Sequence, residues 1–169
     1  MAITQITVFL ENRPGQLAAA VRTISEAGVN IRALSLADTK DFGLLRLIVD
    51  DVAKAKDVLS ERSIVLETPV IAARMDDEAG ALNNILRLLE TTQINVEYMY
   101  AFTGASAGSA YVVLRVDDAA AAETALGSGG VALLTDEEMK KNRLSVFCQC
   151  PAALRRGIFI LRGTSLSGG

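Results

Sequence analysis

Residues 3–31 read ITQITVFLENRPGQLAAAVRTISEAGVNI, which combines a strand, a turn, a helix and the start of a second strand. Side chains at 7–10 alternate between two faces, as in a β-strand, and Pro14-Gly15 ends that strand. Gly28 lies where a helix is expected to end. Between these breaks, hydrophobic residues recur at i, i+4 and i+7, the spacing of one helix face: Leu17, Val21 and Ile24.

The following residues complete one structural unit. Residues 30–38 and 42–50 indicate two strands joined by a polar turn. Asp50 or Asp51 suits the N-cap of a second helix, and residues 64–66 form a closing strand. The hydrophobic face of that second helix consists of Val52, Ala55 and Leu59. The order βαββαβ predicts an α+β fold of the ferredoxin-like type, with helices on one face of an antiparallel sheet.

The same pattern recurs later in the chain. Gly15 aligns with Gly80 at an offset of 65 positions. After a two-residue insertion the offset becomes 67, and the pair Asp50-Asp51 then aligns with Asp117-Asp118. Hydrophobic positions repeat in the same order, so the sequence predicts two copies of one unit in tandem.

The second copy follows the pattern more loosely. Its helix at 119–126 is rich in alanine, so we expect it to pack closely and weakly. Thr68-Pro69 is the only break between the copies, and the last strand of the first copy should run almost directly into the second. The strands of the second copy are predicted at about 70–75, 95–103, 110–117 and 131–135. The predicted divisions of the chain are a first unit at 1–68, a second unit at 69–142 and a basic tail at 143–169.

The composition excludes several classes of function. The chain of 169 residues contains no histidine, which removes His-dependent catalysis and His-ligated zinc. A net charge of -3 and an aromatic content of 5% argue against nucleic acid binding. No hydrophobic run reaches the ~20 residues of a membrane span, and the N-terminus does not resemble a signal peptide. We expect a cytoplasmic protein that is not an enzyme and uses no metal or cofactor.

The tail from Arg143 onward differs from the rest of the chain. It contains four arginines and no acidic residue. It also contains Cys148 and Cys150, whose spacing does not fit a redox Cys-x-x-Cys motif, so two semi-buried thiols are the simpler interpretation. Residues 144–148 and 158–162 fit short strands, and a disordered extension fits the same composition. A basic tail on an acidic body suits docking on its own dimer or on a partner.

The strand at 42–50 is hydrophobic on both faces. Its odd-numbered hydrophobic residues suit the face covered by helices, whereas Leu44 and Ile48 point to the opposite face. An uncovered hydrophobic sheet face implies a partner surface, and a unit of ~65 residues buries little surface alone. We expect the two units to pair edge to edge, two chains to stack face to face, and the protein to be a homodimer or larger oligomer.

The turn ENRPGQL at residues 11–17 carries the predicted binding chemistry. The first turn of a helix has unpaired backbone N–H groups and a partial positive charge, which suit a carboxylate. Asn12 and Asn30 offer carbonyl acceptors for an ammonium and amide donors for a carboxylate. Together these groups match both ends of a free α-amino acid. Such turns are common without any ligand, but the repetition of Gly80 and Asn95 in register favours binding.

The corresponding turn of the second unit is acidic. Asp77 replaces Asn12, and Glu78 and Ala79 replace the following arginine and proline. Acidic side chains attract an ammonium but repel a carboxylate, and they also serve as plain helix caps. A weaker second site is therefore predicted at Asp77, Glu78, Ala79, Gly80 and Leu82.

The βαββαβ order, the string at 11–17 and the string GVNI at 28–31 resemble an ACT domain, present in tandem over about residues 3–137. Both strings are similar to those of the serine-sensing regulatory domain of bacterial phosphoglycerate dehydrogenase. A chain with two such units and no effector domain also resembles standalone regulators of the glycine cleavage system. The resemblance implies a non-catalytic sensor of amino acids whose units pair side by side.

In that arrangement the ligand lies at the seam, between the turn before the first helix of one unit and the start of the second strand of its neighbour. The serine-sensing relative has a histidine at the position of Leu10, so serine and a different or more apolar amino acid both remain open. The implied site residues are Asn12, Arg13, Pro14, Gly15, Gln16, Leu17, Asn30, Ile31, Asn95 and Val96.

The sequence thus predicts an amino-acid-binding regulatory protein, with another protein as a possible effector. The bound ligand would stabilise one relative orientation of two units by its higher affinity for that orientation. The alternative is a structural or adaptor module that holds no ligand and binds another protein through its sheet face.

Overall fold

A computed structural model describes residues 2–38, 42–103 and 108–141. Residues 39–41 of the turn predicted at 38–41 lie outside these residues, as does the tail with both cysteines and the two predicted tail strands. The strands are β1 (Ile3–Glu11), β2 (Ile31–Asp38), β3 (Phe42–Val49), β4 (Ile64–Asp76), β5 (Val96–Thr103) and β6 (Ser109–Val116). The helices are α1 (Gln16–Glu26), α2 (Val52–Ser60), α3 (Ala81–Thr91), α4 (Ala119–Ser128) and α5 (Asp136–Lys141).

Strand β4 joins the two units. The sheet order is β2-β3-β1-β4-β6-β5, and all pairings are antiparallel. The first half of β4, residues 64–70, pairs with β1, and its second half, residues 71–76, pairs with β6. The close connection predicted between the copies is therefore one continuous strand of 13 residues. The predicted α+β fold with two βαββαβ units is confirmed.

The last strand of the second unit is shorter than predicted. Residues 131–135 contribute a single bridge, between Leu133 and Ala73, instead of a full strand. The reason is a capping box: Thr135 Oγ1 accepts the Glu138 N–H at 3.2 Å, and Glu138 Oε2 accepts the Thr135 N–H at 2.8 Å. This exchange starts α5, a helix that the sequence analysis missed although the Thr-x-x-Glu pattern is its usual signal.

Each pair of helices covers the outer face of its own half of the sheet. Ile24 of α1 and Leu59 of α2 are buried in one core with alternate residues of β1 and β3. Leu89 of α3 and Leu126 of α4 are buried in an equivalent core over β4 and β6. The predicted hydrophobic face of α2 is confirmed by the buried Ala55 and Leu59. For α1 the prediction is confirmed only at Ile24, because Ala20 is the other buried residue and Leu17 is 37% exposed.

The two halves of the sheet face each other across what we call the inner layer. Gln5 of β1 donates a hydrogen bond to the hydroxyl of Tyr98 in β5 at 2.7 Å, although β4 and β6 separate these strands in the sheet order. The sheet must therefore fold back at β4. The inner layer contains the buried residues Ile3, Ala33, Ile48, Val70, Ala72, Phe102, Tyr111, Val113, Leu134 and Met139.

This packing changes the expected relation between the units. The expected edge-to-edge pairing of the two units is wrong within one chain, because β2 and β5 are the two outer strands of the sheet order. In the described part of the chain, each pairs with one neighbour from its own unit. Ile48 does point away from the helices, as predicted, but the second unit of the same chain covers it. Because β4 runs continuously through both units, the two halves of the sheet bury the inner-layer residues by packing face to face.

The helix starts follow the predicted local chemistry. Asp51 caps α2 by accepting the Lys54 N–H at 3.0 Å, and Asp118 caps α4 by accepting the Ala121 N–H at 2.9 Å. The end of α4 packs closely on α3, as expected: Gly129, the C-cap of α4, leaves no room for a Cβ beside Leu88. No helix in the described part of the chain is long and apolar enough to span a bilayer.

Candidate functional site

The predicted binding turn is a type II β-turn that leads into α1. Gln16 N–H donates to Arg13 O at 3.3 Å, and Gly15 has φ 90° and ψ -17°. Proline at the second position and glycine at the third are typical of this turn, since the third position needs a positive φ. Helix α1 begins at Gln16, so Pro14 occupies a turn position rather than the first helical one. No atom lies within 4 Å of a Cβ built on Gly15, so the glycine is required by φ and not by a close neighbour.

The start of α1 is open to solvent. No side chain caps the helix. The Ala19 N–H bonds to Gly15 O at 2.9 Å, whereas the N–H groups of Leu17 and Ala18 have no partner among the described residues. Unpaired N–H groups at this end carry the partial positive charge of the helix dipole. The turn therefore presents two free donors in a favourable field for an anion.

The side chains of the turn are exposed. The guanidinium of Arg13 lies 3.4 Å from the carboxylate of Glu11, and both side chains are largely accessible. An exposed pair of this kind is weak, about 0–1 kcal/mol, and is easily exchanged for a ligand. Asn12 is exposed, Gln16 is half-buried, and Leu17 is partly exposed. Leu10 is buried in the core below α1 and presents no polar group here.

Asn30 and Asn95 occupy equivalent positions for a structural reason. Asn30 N–H donates to Asp50 Oδ1 at 2.9 Å, and Asn30 O accepts the Asp50 N–H at 3.1 Å. Asn95 and Asp117 form the same pair of bonds, at 3.1 and 3.2 Å. These bonds fix the backbone where β2 and β5 begin and leave both amide side chains exposed. Ile31 and Val96, the next residues, are half-buried in strand pairs with β3 and β6.

One chain does not bring the predicted site residues together. The turn and Asn30 lie at opposite ends of α1, whose 11 residues span ~16 Å at the usual helix rise. Among the described residues, no hydrogen bond joins the turn to Asn30 or to Asn95. A site made of both parts needs an additional unit beside β2 or β5.

The second turn has the same backbone and different chemistry. Gly80 has φ 95° and ψ -13°, and Ala81 N–H donates to Glu78 O at 3.3 Å. Asp77 and Glu78 are exposed, as is Ala79, whereas Leu82 packs against the second core. The interpretation of these acids as helix caps is wrong, because no side chain caps α3.

The inner layer contains a polar cluster that the sequence analysis missed. The Gln5 amide is fully buried; it donates to Thr7 Oγ1 at 3.1 Å and to Tyr98, and it accepts the Tyr100 hydroxyl at 3.0 Å. Burial first, and the neighbouring Tyr98 second, raise the pKa of Tyr100. The guanidinium of Arg46 lies 4.0 Å above the centre of the Tyr98 ring. No local pattern predicts this cluster, since its members meet only when the sheet folds back.

Two surface hollows lie away from the turns. A shallow groove runs between α3 and α4 beside Leu88 and Gly129, and a smaller hollow is lined by Arg74, Tyr111 and Glu138. Neither contains a predicted site residue, so neither adds to the candidate site.

Comparison with known proteins agrees with this fold. The family model described as an ACT domain pair matches residues 1–142. The chain therefore belongs to the ACT domain pair family, whose modules are associated with a small-molecule-sensing regulatory role. Among curated proteins, no sequence matches it significantly.

Solved structures provide similar chains. Protein BT0572 from Bacteroides thetaiotaomicron is 32% identical, with 83% of this chain and 97% of that chain covered and a TM-score of 0.78. The ligand-free regulatory subunit of aspartate kinase from Thermus thermophilus is 16% identical, with 75% and 91% covered and a TM-score of 0.57. The corresponding subunit from Thermus flavus is 15% identical, with 75% and 92% covered and a TM-score of 0.55. The two kinase subunits support the fold alone.

Proposed function

We propose that this protein is an amino-acid-binding regulatory protein whose ligand site is completed by a second copy of the chain. The observation that carries the proposal is the open, uncapped start of α1, where the N–H groups of Leu17 and Ala18 have no partner in the described part of the chain. A carboxylate is the natural acceptor for such groups.

The second copy supplies the other half of the site. Strand β2 is an outer strand, and one of its edges has no strand partner among residues 2–38, 42–103 and 108–141; such an edge readily pairs with another chain. Two copies related by a two-fold axis place their β2 edges antiparallel, and each contributes the same surface to the other. Because the turn and Asn30 lie at opposite ends of α1, this pairing places Asn12 of one copy near Asn30 of the other. The β5 edge offers Asn95 and Val96 in the same way.

The chemistry of the site fits a zwitterion. The carboxylate accepts the free N–H groups of α1, while the amide oxygens of Asn12 and Asn30 accept the ammonium. A ligand that binds residues of two copies stabilises the paired state, because an unpaired copy offers only part of the site. The resulting change in dimer geometry is the signal that an effector protein would recognise.

Calorimetry and thermal unfolding of the full chain with each of the twenty amino acids test the proposal. At least one amino acid should raise the melting temperature at millimolar concentration. Asn12→Ala should weaken its binding about tenfold or more, since a hydrogen bond to a charged group contributes about 1.5–3 kcal/mol. Asn83→Ala, which removes another exposed asparagine from α3, is the matched control and should leave the affinity unchanged.

Sedimentation at several protein concentrations tests the role of the second copy. The ligand should shift the chain toward dimers. One ligand should bind at each copy of the turn at residues 11–17. The proposed site between two copies would be refuted if none of the twenty amino acids binds. It would also be refuted if a monomer binds the ligand with full affinity.

A further inference from the structure

The inner layer is closed at one end and open at the other. Ile3, Ile48 and Val70 lie at the closed end and are almost completely buried by the second unit. At the open end, on the same face of the first half of the sheet, Ile64 is 68% exposed and Leu66 is 51% exposed. Hydrophobic residues of this size are normally covered, so the open end is an unusual surface.

The strand register shows that the exposed residues form one surface. Phe9 of β1 pairs with Leu44 of β3 on one side and with Ile64 of β4 on the other. These side chains therefore form one row across three strands. In the next row, Thr7 pairs with Arg46 on one side and with Leu66 on the other. Rows on one face lie ~7 Å apart and strands ~4.8 Å apart, so Phe9, Ile64 and Leu66 form one hydrophobic patch. The buried Thr7 lies between Leu66 and Arg46, which stands at the border of the patch.

The position of Arg46 is fixed by its neighbours. Its guanidinium lies 4.0 Å from the centre of the Tyr98 ring, a cation–π distance. Tyr98 is in turn held by the buried Gln5 amide at 2.7 Å. The charged end of Arg46 is therefore placed between the buried polar cluster and the exposed patch.

Arg46 lacks an anionic partner in the described part of the chain. Its Nε is buried and has no hydrogen-bond partner there. The other half-buried arginines are paired: Arg32 lies 3.4 Å from Asp50, and Arg115 lies 3.4 Å from Glu97. A partly desolvated guanidinium without an anionic acceptor is unfavourable, and a carboxylate at its other N–H groups would offset part of that cost.

We propose that the open end of the inner layer binds a small hydrophobic carboxylate. The carboxylate pairs with the guanidinium of Arg46, whose planar fork matches two carboxylate oxygens. The hydrocarbon part of the ligand lies on Phe9, Ile64 and Leu66. The row that contains Phe9 and Ile64 is next to the row that contains Arg46. This site lies on the opposite face of the sheet from α1, and it is independent of the amino-acid site at the turn.

Calorimetry of the full chain with sodium octanoate tests the proposal. Octanoate should bind with one site per chain, and acetate and 1-octanol, which each lack half of the required chemistry, should bind at least about tenfold more weakly. Arg46→Gln should weaken octanoate binding at least about tenfold, and Arg46→Lys should weaken it less, because it keeps the charge but loses the planar fork. Arg87→Gln, which neutralises an exposed arginine on α3, is the matched control.

A second variant distinguishes the loss of a hydrophobic contact with the ligand from a loss of folding. Leu66→Asn changes an exposed residue, so the melting temperature should change little, whereas octanoate affinity should fall severalfold. Asn12→Ala should leave octanoate binding unchanged, which distinguishes this site from the turn.

Four results would overturn the proposal. The first is that octanoate does not bind, and the second is that it binds equally well to Arg46→Gln. The third is that 1-octanol binds as tightly as octanoate, because that result would indicate simple hydrophobic adsorption. A dimer that dissociates in the Leu66→Asn variant would also overturn it, because a second copy would then cover the patch.

Discussion

The turns at 12–17 and 77–82 have almost the same backbone and opposite chemistry. Gly15 and Gly80 differ by 5° in φ, from 90° to 95°, and both turns are closed by a hydrogen bond of 3.3 Å. The first turn contains Asn12 and Arg13, whereas the second contains Asp77 and Glu78. The comparison shows that one turn shape, with glycine at a positive φ and one turn hydrogen bond, forms with either set of side chains before the glycine. The charge of those side chains is the feature in which the two turns differ.

Removal of buried side chains should show whether the two units are one folding unit. Ile24→Ala in the first core and Leu89→Ala in the second each remove a fully buried side chain, and each should cost about 2–5 kcal/mol. Because the units share β4 and the inner layer, both variants should shift one common transition in urea unfolding followed by circular dichroism. Two transitions, each moved by only one variant, would mean that the units fold independently.

The glycine positions allow a direct test of the shared turn geometry. Gly15→Ala and Gly80→Ala should each cost about 1–2 kcal/mol, the usual penalty for a left-handed backbone in a residue with a Cβ. The two costs should be equal, since no atom lies within 4 Å of either added Cβ. Gly127→Ala is the control, because it adds a methyl group inside helix α4 with the same free space and should be stabilising. Unequal costs for the two turns, measured by urea unfolding, would contradict the equivalence.

The first unit has a surface ion pair at a position where the second unit has an acidic residue in place of the lysine, and the expected effect of this difference is small. Lys56 Nζ lies 2.6 Å from Glu67, whereas the equivalent of Lys56 in the second unit is Glu123. The hydrogen bond to Glu67, and then its charge, raise the pKa of Lys56. A raised lysine pKa stabilises the folded chain at pH values below 10.5, and this contribution disappears as the pH rises through the raised pKa.

Lys56→Gln should therefore lower the melting temperature slightly at pH 7 in low salt, and the difference from the wild type should vanish above the raised pKa or in high salt. Lys54→Gln changes a lysine without an ion pair among the described residues and serves as the control. A difference that persists in high salt would indicate lost packing instead of a lost ion pair.

Local patterns predicted most elements because each depends on neighbouring residues. Pro14-Gly15 marked the break between β1 and α1, aspartates before α2 and α4 cap these helices, and periodicity identified Ile24 as a buried residue of α1 but not Ala20. The capping box at Thr135 was equally local and was overlooked. The seam residues remain a prediction, since they depend on a second copy of the chain.

The sequence by itself determined the two βαββαβ units, their tandem order and the positively polarised turn before α1, because periodicity, caps and turn residues act over a few positions. Only the tertiary structure decided that the sheet folds back at β4, that Ile48 is covered by the second unit, and that Arg46 lies at the border of an open patch beside Tyr98. These contacts join residues about 50 positions or more apart, and their geometry depends on the twist of one shared strand, which no local pattern records.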